Sequence, residues 1–264
     1  MTEKQSLEYR VRSYNDWNSI TNKNQDGENG TQTRLRYFYD HGNLGDSKVN
    51  FASRVQYIKD IDHALRYEAR FDFAEYMFNN DFIKTTEMVV APYYEYTWNR
   101  DGVKSSGDNY DNEVGLYAYF GNQLPYGFGF NVELDTLGFH NYGDKLHGVD
   151  DGEKRSDSNT TADVNIYLTY GANLYSSEKI SVDFAAETGY DSYSWSDKVA
   201  KDADHEKYEL KTDPQVTLTY HATPTLDLYA TAGAEYRNWA VTSENSASNW
   251  RWQPTVFAGF KTTF

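Results

Sequence analysis

The chain of 264 residues carries a formal net charge of -15 and no cysteine, and it combines a mean hydropathy of -0.82 with 17% aromatic residues. The acidic balance excludes a nucleic-acid-binding surface, because the phosphate backbone attracts basic proteins. An apolar run of about 18 residues, which a transmembrane helix requires, does not occur. The segment Met1–Lys4 lacks the apolar core of a signal peptide, so we expect a mature chain with an added initiator methionine.

Apolar and polar residues alternate with a period of two along most of the chain, which indicates β-strands with two unlike faces. The clearest example is the segment 160–174, and the segment 180–193 repeats its pattern after the short polar turn 175–179. In the first of these, one phase holds Val164, Ile166, Leu168, Tyr170, Ala172 and Leu174, and the other holds Asp163, Asn165, Tyr167, Thr169 and Gly171.

Alternating segments of this kind predict about twelve strands, with fourteen as the alternative because the region 59–86 has room for another hairpin. The predicted strands are 6–17, 31–39, 47–58, 64–74, 86–98, 110–120, 127–139, 160–174, 180–193, 208–220, 226–239 and 250–264.

The links between these strands fall into two kinds, apart from an unusually short link at 59–63. Short turns lie at 121–126, 175–179 and 221–225, and long polar loops lie at 99–109, 140–159, 194–207 and 240–249. Short turns on one side and long loops on the other are typical of outer-membrane β-barrels, in which an even number of strands places both termini on the short-turn side.

Aromatic residues gather near the predicted strand ends, which favours two interfacial girdles over a simple aromatic preference for strands. Examples are Trp17, Tyr37, Tyr39, Tyr94, Trp98, Tyr117, Phe120, Tyr126, Phe128, Trp195, Trp239, Trp250 and Trp252.

The last predicted strand has the most specific local pattern, because apolar residues of one phase lead to a terminal phenylalanine. These residues are Val256, Ala258, Phe260, Thr262 and Phe264. The pattern resembles the C-terminal strand of outer-membrane β-barrels, and the chain as a whole resembles the small monomeric porins, including the oligogalacturonate-specific type. The resemblance concerns architecture, and no motif in the sequence fixes a substrate.

This resemblance implies an all-β fold, a transmembrane antiparallel up-and-down β-barrel formed as one domain by residues 1–264. It also implies a monomer in the bacterial outer membrane, surrounded by lipid, whose last strand the barrel-assembly machinery recognises. The alternative is a soluble sandwich or lipocalin-like barrel. One soluble eight-stranded barrel would leave roughly a hundred residues unexplained and would bury larger aliphatic side chains.

If the apolar phase faces lipid, the other phase lines the interior, and its charges predict two opposite walls. The basic wall comprises Arg10, Arg12, Arg34, Arg36, Arg54, Arg66, Arg70, Arg237, Arg251 and Lys261, which closure of the barrel would join into one arc. The acidic wall comprises Glu87, Glu95, Glu113, Glu133, Asp135, Asp163, Asp183, Glu187, Asp191 and Asp213. A smaller set of carboxylates lies among the arginines and is expected to pair with them, namely Glu8, Glu68, Asp72, Asp227 and Glu235.

Glycines at inward positions suggest that the interior keeps open space. They are Gly115, Gly127, Gly129, Gly171, Gly189, Gly233 and Gly259. We therefore predict a narrow water-filled porin for passive diffusion of small hydrophilic solutes and ions, without a cofactor. Two alternatives stay open, a porin specific for acidic oligosaccharides that uses the arginine arc, and a plugged barrel that serves as an adhesin or structural protein.

The histidines argue against an enzyme, because all six fall in predicted turns or loops. They are His41, His63, His140, His147, His205 and His221. No Ser–His pair on adjacent strands is visible, so no catalytic residues are predicted. His140 and His147 share the loop 140–159 with Asp144, Asp150 and Asp151, where a solvated loop is favoured over a metal or acid–base site.

Overall fold

A computed structural model describes residues 3–14, 30–60, 62–98, 110–143, 150–151, 154–197, 206–207, 210–241 and 247–262. The described residues form twelve long strands, which we number in chain order. They are β1 (Gln5–Tyr14), β2 (Gly30–Asn43), β3 (Asn50–Lys59), β4 (His63–Asp72), β5 (Lys84–Trp98), β6 (Tyr110–Gln123), β7 (Phe128–Tyr142), β8 (Ser158–Ser176), β9 (Ile180–Ser196), β10 (Leu210–Thr223), β11 (Leu226–Val241) and β12 (Ala247–Thr262).

The remaining regular structure is short. Two-residue strands Asp150–Asp151 and Lys154–Arg155 pair with each other, and Glu206–Lys207 pairs with β9. Single 3₁₀ turns lie at Ala74–Tyr76 and Pro125–Gly127. In the described ranges, no helix has both the length and the apolar composition needed to cross a membrane.

Each long strand pairs antiparallel with the next strand of the chain, without a crossover. This order confirms the predicted all-β, up-and-down architecture with twelve strands rather than fourteen. The region that might have hidden another hairpin instead contains the 3₁₀ turn and the bridge between Asn79 and Lys84. The recorded pairings of described residues end at β1 on one edge and β12 on the other, so closure of the sheet stays a prediction.

The lengths of the links confirm, in most places, the predicted short turns on one side of the sheet and long loops on the other. On one side of the sheet, here called the short-turn side, β2, β6, β8 and β10 connect to the following strands through a few residues each. The links on the other side, the long-loop side, include 99–109, 143–157 and 197–209. Three links are exceptions, the short links 60–62 and 242–246 on the long-loop side and the longer link 73–83 on the short-turn side. The prediction of a long loop at 240–249 was therefore wrong, because β11 extends to Val241 and β12 begins at Ala247.

The sheet is curved, and its charged face lies on the inner side of the curve. The Arg54 guanidinium of β3 lies 6.0 Å from the ring centroid of Tyr117, three strands away in β6. Tyr93 of β5 likewise hydrogen-bonds Thr136 of β7. Because neighbouring strands are about 4.8 Å apart, such contacts indicate that these side chains converge on the concave face. We call the opposite face convex.

A bulge in β7 changes which residues face inward. Leu134 lies opposite Val164, whereas Thr136 lies opposite the neighbouring Asp163, so β7 contains one extra residue at Asp135. An extra residue in one strand of a pair shifts the two-residue phase beyond it. Consequently Thr136 and the residues at every second position after it face inward, which the sequence pattern alone does not predict.

Burial is inverted relative to a water-soluble protein. Large apolar side chains of the convex face are exposed, for example Val256 at 79% and Tyr9 at 66% of their full exposure. The concave face instead buries polar side chains, including Arg54, Gln56 and Glu68. Charged residues are rarely buried in soluble domains unless they are paired.

Candidate functional site

The concave face of β3 to β5 carries a cluster of ion pairs centred on Glu68, which is completely buried. Arg54 lies directly opposite Glu68 in the β3–β4 register and binds its carboxylate. Arg70 approaches the same carboxylate to 2.7 Å and Arg66 to 3.7 Å, while Arg66 Nε also lies 3.0 Å from Glu95. Guanidinium groups outnumber carboxylates in this cluster, so it keeps an excess of positive charge.

A second basic cluster joins β1, β2 and β3. Glu8 binds Arg34 and lies 3.7 Å from Arg36, which also donates to the side-chain oxygen of Gln56. Arg10 lies on the same face of β1 as Glu8, two positions further along the strand. The six described arginines of β1 to β4 therefore form a connected basic wall, consisting of Arg10, Arg34, Arg36, Arg54, Arg66 and Arg70.

Aromatic rings lie against these guanidinium groups. Arg66 is 3.7 Å from the ring centroid of Tyr93, and Arg70 is 5.1 Å from that of Tyr117. Stacking of this kind holds a cation in place through the negative face of the ring. The position of Tyr117 corrects its assignment to an interfacial girdle, because the residue faces inward and its hydroxyl donates to Glu133 at 2.8 Å.

Carboxylates of β6 to β10 are held mainly by neutral partners. Glu113 accepts hydrogen bonds from Tyr93 and from Thr136, the latter at 2.9 Å. Asp183 accepts from Asn173 at 2.7 Å. Because hydroxyl and amide donors do not cancel charge, this wall keeps most of its negative charge, opposite in sign to the wall of β1 to β4.

Most of the charged residues singled out in the sequence lie on the concave face, as their registers show. On β5 to β10 these are Glu87, Glu95, Glu113, Glu133, Asp163, Asp183, Glu187 and Asp213, and on β11 and β12 they are Arg237, Arg251 and Lys261. Asp135 is the extra residue of the β7 bulge and has no partner in either register, so the register does not assign it to a face. The side chains of Arg12 and Asp191 lie outside the described part of the structure, as does the whole of Phe264. A pore-lining role for these residues stays a prediction, as does the continuous arc, which depends on pairing of β12 with β1.

Two charged concave residues were missed. Lys211 lies in the acidic wall, 3.0 Å from Glu187 and 4.9 Å from the Tyr167 ring centroid, and it shares its phase with Asp213. Asp111 likewise shares the phase of Glu113. The two-residue alternation would have identified both, since each precedes a recognised carboxylate by two positions.

The concave glycines do not leave the open space that the sequence suggested. A Cβ atom at Gly115 would overlap the Tyr93 ring, and one at Gly233 would lie 2.7 Å from Cγ of Gln215. Neighbouring side chains thus occupy the space beside these glycines. Gly171 is an exception with nothing within 4 Å, and Gly127 lies in the turn between β6 and β7 rather than on a strand.

Gly115→Ala is therefore expected to destabilise the folded protein by about 1–3 kcal/mol, the usual cost of overpacking. Gly171→Ala, a matched change in open space, is expected to be neutral or slightly stabilising. Urea unfolding of both variants in lipid vesicles measures the difference. Equal stabilities would show that the Tyr93 ring does not occupy the position described.

The histidines correct the sequence interpretation, because all four described ones lie in strands. These are His41, His63, His140 and His221. The assignment of His140 to a loop was wrong, since β7 extends to Tyr142 and the bulge turns His140 inward. His147 and His205 lie outside the described residues.

His140 and His41 lie within hydrogen-bonding distance of carboxylate or hydroxyl side chains, which hydrolytic enzymes combine with histidine. His140 Nδ1 lies 2.9 Å from Asp111, and its Nε2 lies 2.7 Å from the hydroxyl of Thr161. On the convex face, His41 Nε2 lies 2.8 Å from the Ser53 hydroxyl on the adjacent strand, although the sequence showed no Ser–His pair. No carboxylate among the described residues hydrogen-bonds His41, as a catalytic triad requires. The prediction that the chain is not an enzyme stays a prediction.

Neighbouring aromatic and imidazole rings form two groups on the convex face. One is near the long-loop side and comprises Tyr57, His63, Tyr96, Trp98 and Tyr110, and the other is near the short-turn side and comprises Tyr39, His41, Phe51 and Phe71. On β4, the ring positions of the two groups are eight residues apart, which corresponds to about 26 Å along the strand.

No protein-family model matches the sequence, and no curated protein matches it. Among solved structures, the chain is similar to one described as a NanC porin in a rhombohedral crystal form, with 98% of this chain and 99% of that chain covered. The two sequences are 9% identical, and the TM-score is 0.40. The likeness gives no residue-by-residue correspondence.

Proposed function

We propose that this chain is an outer-membrane porin, a monomeric closed barrel through which small hydrophilic solutes and ions diffuse passively. The observation that carries the proposal is the inverted burial. The convex face exposes large apolar residues on every long strand, while the concave face gathers charges. A sheet with an apolar outside and a polar inside is the arrangement that lipid around a water-filled interior requires.

Two further observations and one physical requirement support a membrane-spanning barrel. The two aromatic groups of the convex face are about 26 Å apart along β4, which for a strand tilted by 35–45° is about 19–22 Å along the membrane normal, slightly less than the apolar band of about 25 Å in outer-membrane barrels. Closure would also pair the backbone groups of β1 and β12, which hydrocarbon would otherwise leave unsatisfied. On β12, Val256 and Phe260 face outward, with Ala258 and Thr262 between and beyond them, as expected of a strand that the barrel-assembly machinery recognises.

The strand number favours a narrow pore. About eight strands fill their interior with side chains, and 16–18 strands leave a wide channel. The ring of Tyr93 across Gly115 narrows the interior further. A basic wall facing an acidic wall would produce a transverse field, which orients dipolar solutes and disfavours apolar ones.

Transport of acidic oligosaccharides is a second candidate, because guanidinium groups exceed carboxylates around Glu68. Arginine recognises carboxylates through paired hydrogen bonds, so an acidic sugar would find donors on this wall. The two candidates differ in whether an acidic oligosaccharide blocks the ion current in a saturable way.

Single-channel recording of the refolded protein in a planar bilayer tests the proposal, and we expect discrete openings with weak ion selectivity. The double variant Arg34→Gln and Arg36→Gln is expected to shift the reversal potential towards cation selectivity, because it removes positive charge from the basic wall. Lys179→Gln, in the exposed turn between β8 and β9, is the control and should leave the reversal potential unchanged.

Two results would contradict the proposal. A wild-type protein that folds in lipid but never conducts would favour the plugged or adhesive alternatives. An unchanged reversal potential in the double variant would show that Arg34 and Arg36 do not face the conducting path.

A further inference from the structure

The middle of the concave face carries no charged residue on β10, β11 and β12, as far as the described residues show. This neutral patch consists of Gln215, Thr217, Thr219, Tyr229, Thr231, Gly233, Gln253, Thr255, Phe257 and Gly259. Charged and titratable groups of the same strands and face lie beyond its two ends. These are Lys211, Asp213, Glu235, Arg237 and Arg251 towards the long-loop side, and His221, Asp227 and Lys261 towards the short-turn side.

Phe257 is the unusual residue of this patch, because a large apolar ring is 44% exposed on the polar face of the sheet. It lies directly opposite Thr231 in the β11–β12 register, and Thr231 shares a hydrogen bond of 2.8 Å with the hydroxyl of Thr217. On the side of Thr231, the ring is thus bordered by hydroxyl groups. Water in contact with such a ring is unfavourable, and a ligand with an apolar surface would displace it.

A second ring extends this surface. Tyr229 lies edge-on to Phe257, with ring centroids 6.5 Å apart and an interplanar angle of 81°. A Cβ atom at Gly259 would lie 2.7 Å from the Tyr229 ring. Gly259 therefore makes room for this ring. The two rings meet edge to face, so they form an apolar corner rather than one flat surface, with amide and hydroxyl groups around it.

The geometry points to a subsite for a neutral carbohydrate in the neutral patch. A sugar ring has C–H groups on its faces and hydroxyl groups around its rim. The C–H groups, being weakly positive, pack on the negative faces of aromatic rings. The rim hydroxyls find both donors and acceptors in threonine and glutamine.

The charges near the patch do not favour an acidic sugar there. Arg237 is bound by Glu235 at 2.8 Å. Closure of the sheet would place β1 beside the patch, but Glu8 there is bound by Arg34, and Arg10 is hydrogen-bonded to Gln32 at 2.8 Å. The subsite rests on the proposed function, because a sugar reaches the patch only if the concave face lines an open lumen.

The test is the block of ion current by maltotriose, a neutral sugar, through the refolded protein in a planar bilayer. We expect a saturable block in the wild type. Phe257→Ala should raise the half-blocking concentration by about two- to twelvefold, since an aromatic contact is worth about 0.5–1.5 kcal/mol. Phe257→Leu keeps an apolar side chain for folding but lacks the ring, and it should show the same weakening.

Phe260→Ala is the matched control, because Phe260 lies three residues away on the convex face of the same strand. It should leave the block by maltotriose unchanged. Block by trigalacturonate, a charged sugar of the same length, should not respond to any of these variants.

Conducting channels that maltotriose does not block, or an equal response of the Phe257 and Phe260 variants, would overturn the subsite while the porin proposal stands. A larger effect of the Phe257 variants on trigalacturonate than on maltotriose would overturn its assignment to neutral sugars. A folded wild type without any ion current would instead overturn the porin proposal itself, and the subsite with it.

Discussion

Replacing Glu68 by glutamine is expected to destabilise the folded protein by about 3–5 kcal/mol, the usual cost of breaking a buried ion pair. The side chain has no exposed surface, and its carboxylate is shared by Arg54, Arg66 and Arg70. Glutamine keeps the size of the side chain but removes the charge. The arginines would then face one another without their common counter-charge. Among the described residues, only Arg66 would retain an ion pair with another carboxylate, that of Glu95.

Urea unfolding in lipid vesicles, followed by tryptophan fluorescence, measures this loss. Glu178→Gln is the control, because the same chemical change in an exposed turn should alter the stability by no more than about 0.5 kcal/mol. Adding Arg54→Gln to Glu68→Gln should recover part of the lost stability, since it removes one of the uncompensated cations. Similar stabilities of Glu68→Gln and Glu178→Gln would mean that Glu68 is hydrated rather than buried in the arginine cluster.

The strand order could be predicted from sequence because each strand has two unlike faces. In β8, residues 164–174 alternate without interruption, and the structure places the predicted turn 175–179 where Ser177 donates to the carbonyl of Ile180 at 2.8 Å. Antiparallel neighbours joined by short turns leave little freedom in topology. The number of strands and their up-and-down order could therefore be predicted from the alternation and the turns alone.

The bulge in β7 could not be predicted in this way. Its extra residue at Asp135 depends on the pairing with β6 and β8, which a single-strand pattern does not contain. His140 was assigned to a loop because the predicted strand ended at residue 139, and without the bulge its contacts with Asp111 and Thr161 on the concave face could not be expected. The two-residue alternation shows which residues share a face only along a stretch of strand that contains no bulge.

The charged residues that share the concave face could be predicted from sequence, but the packing of their neighbours could not. The alternation showed which residues share a face, so the excess of arginine on β1 to β4 was visible from sequence. Alternation does not show where a long side chain extends, and the Tyr93 ring therefore occupies the space that Gly115 suggested was open. Whether a glycine creates space depends on its cross-strand neighbours, which only the register supplies.

The central claim is that the convex face touches hydrocarbon while the concave face touches water. Val216 and Gln215 are adjacent residues near the middle of β10, and they point to opposite faces. Arginine at a lipid-facing position near the bilayer midplane costs about 2–4 kcal/mol. On the concave face, arginine at position 215 would lie near Asp213, to which Gln215 already donates a hydrogen bond.

The decisive measurement compares the free energies of unfolding of Val216→Arg and Gln215→Arg in lipid vesicles. We expect Val216→Arg to lose about 2–4 kcal/mol relative to the wild type, and Gln215→Arg to lose less than about 1 kcal/mol. Equal losses, or a Val216→Arg variant as stable as the wild type, would show that the apolar face of this sheet does not lie in a membrane.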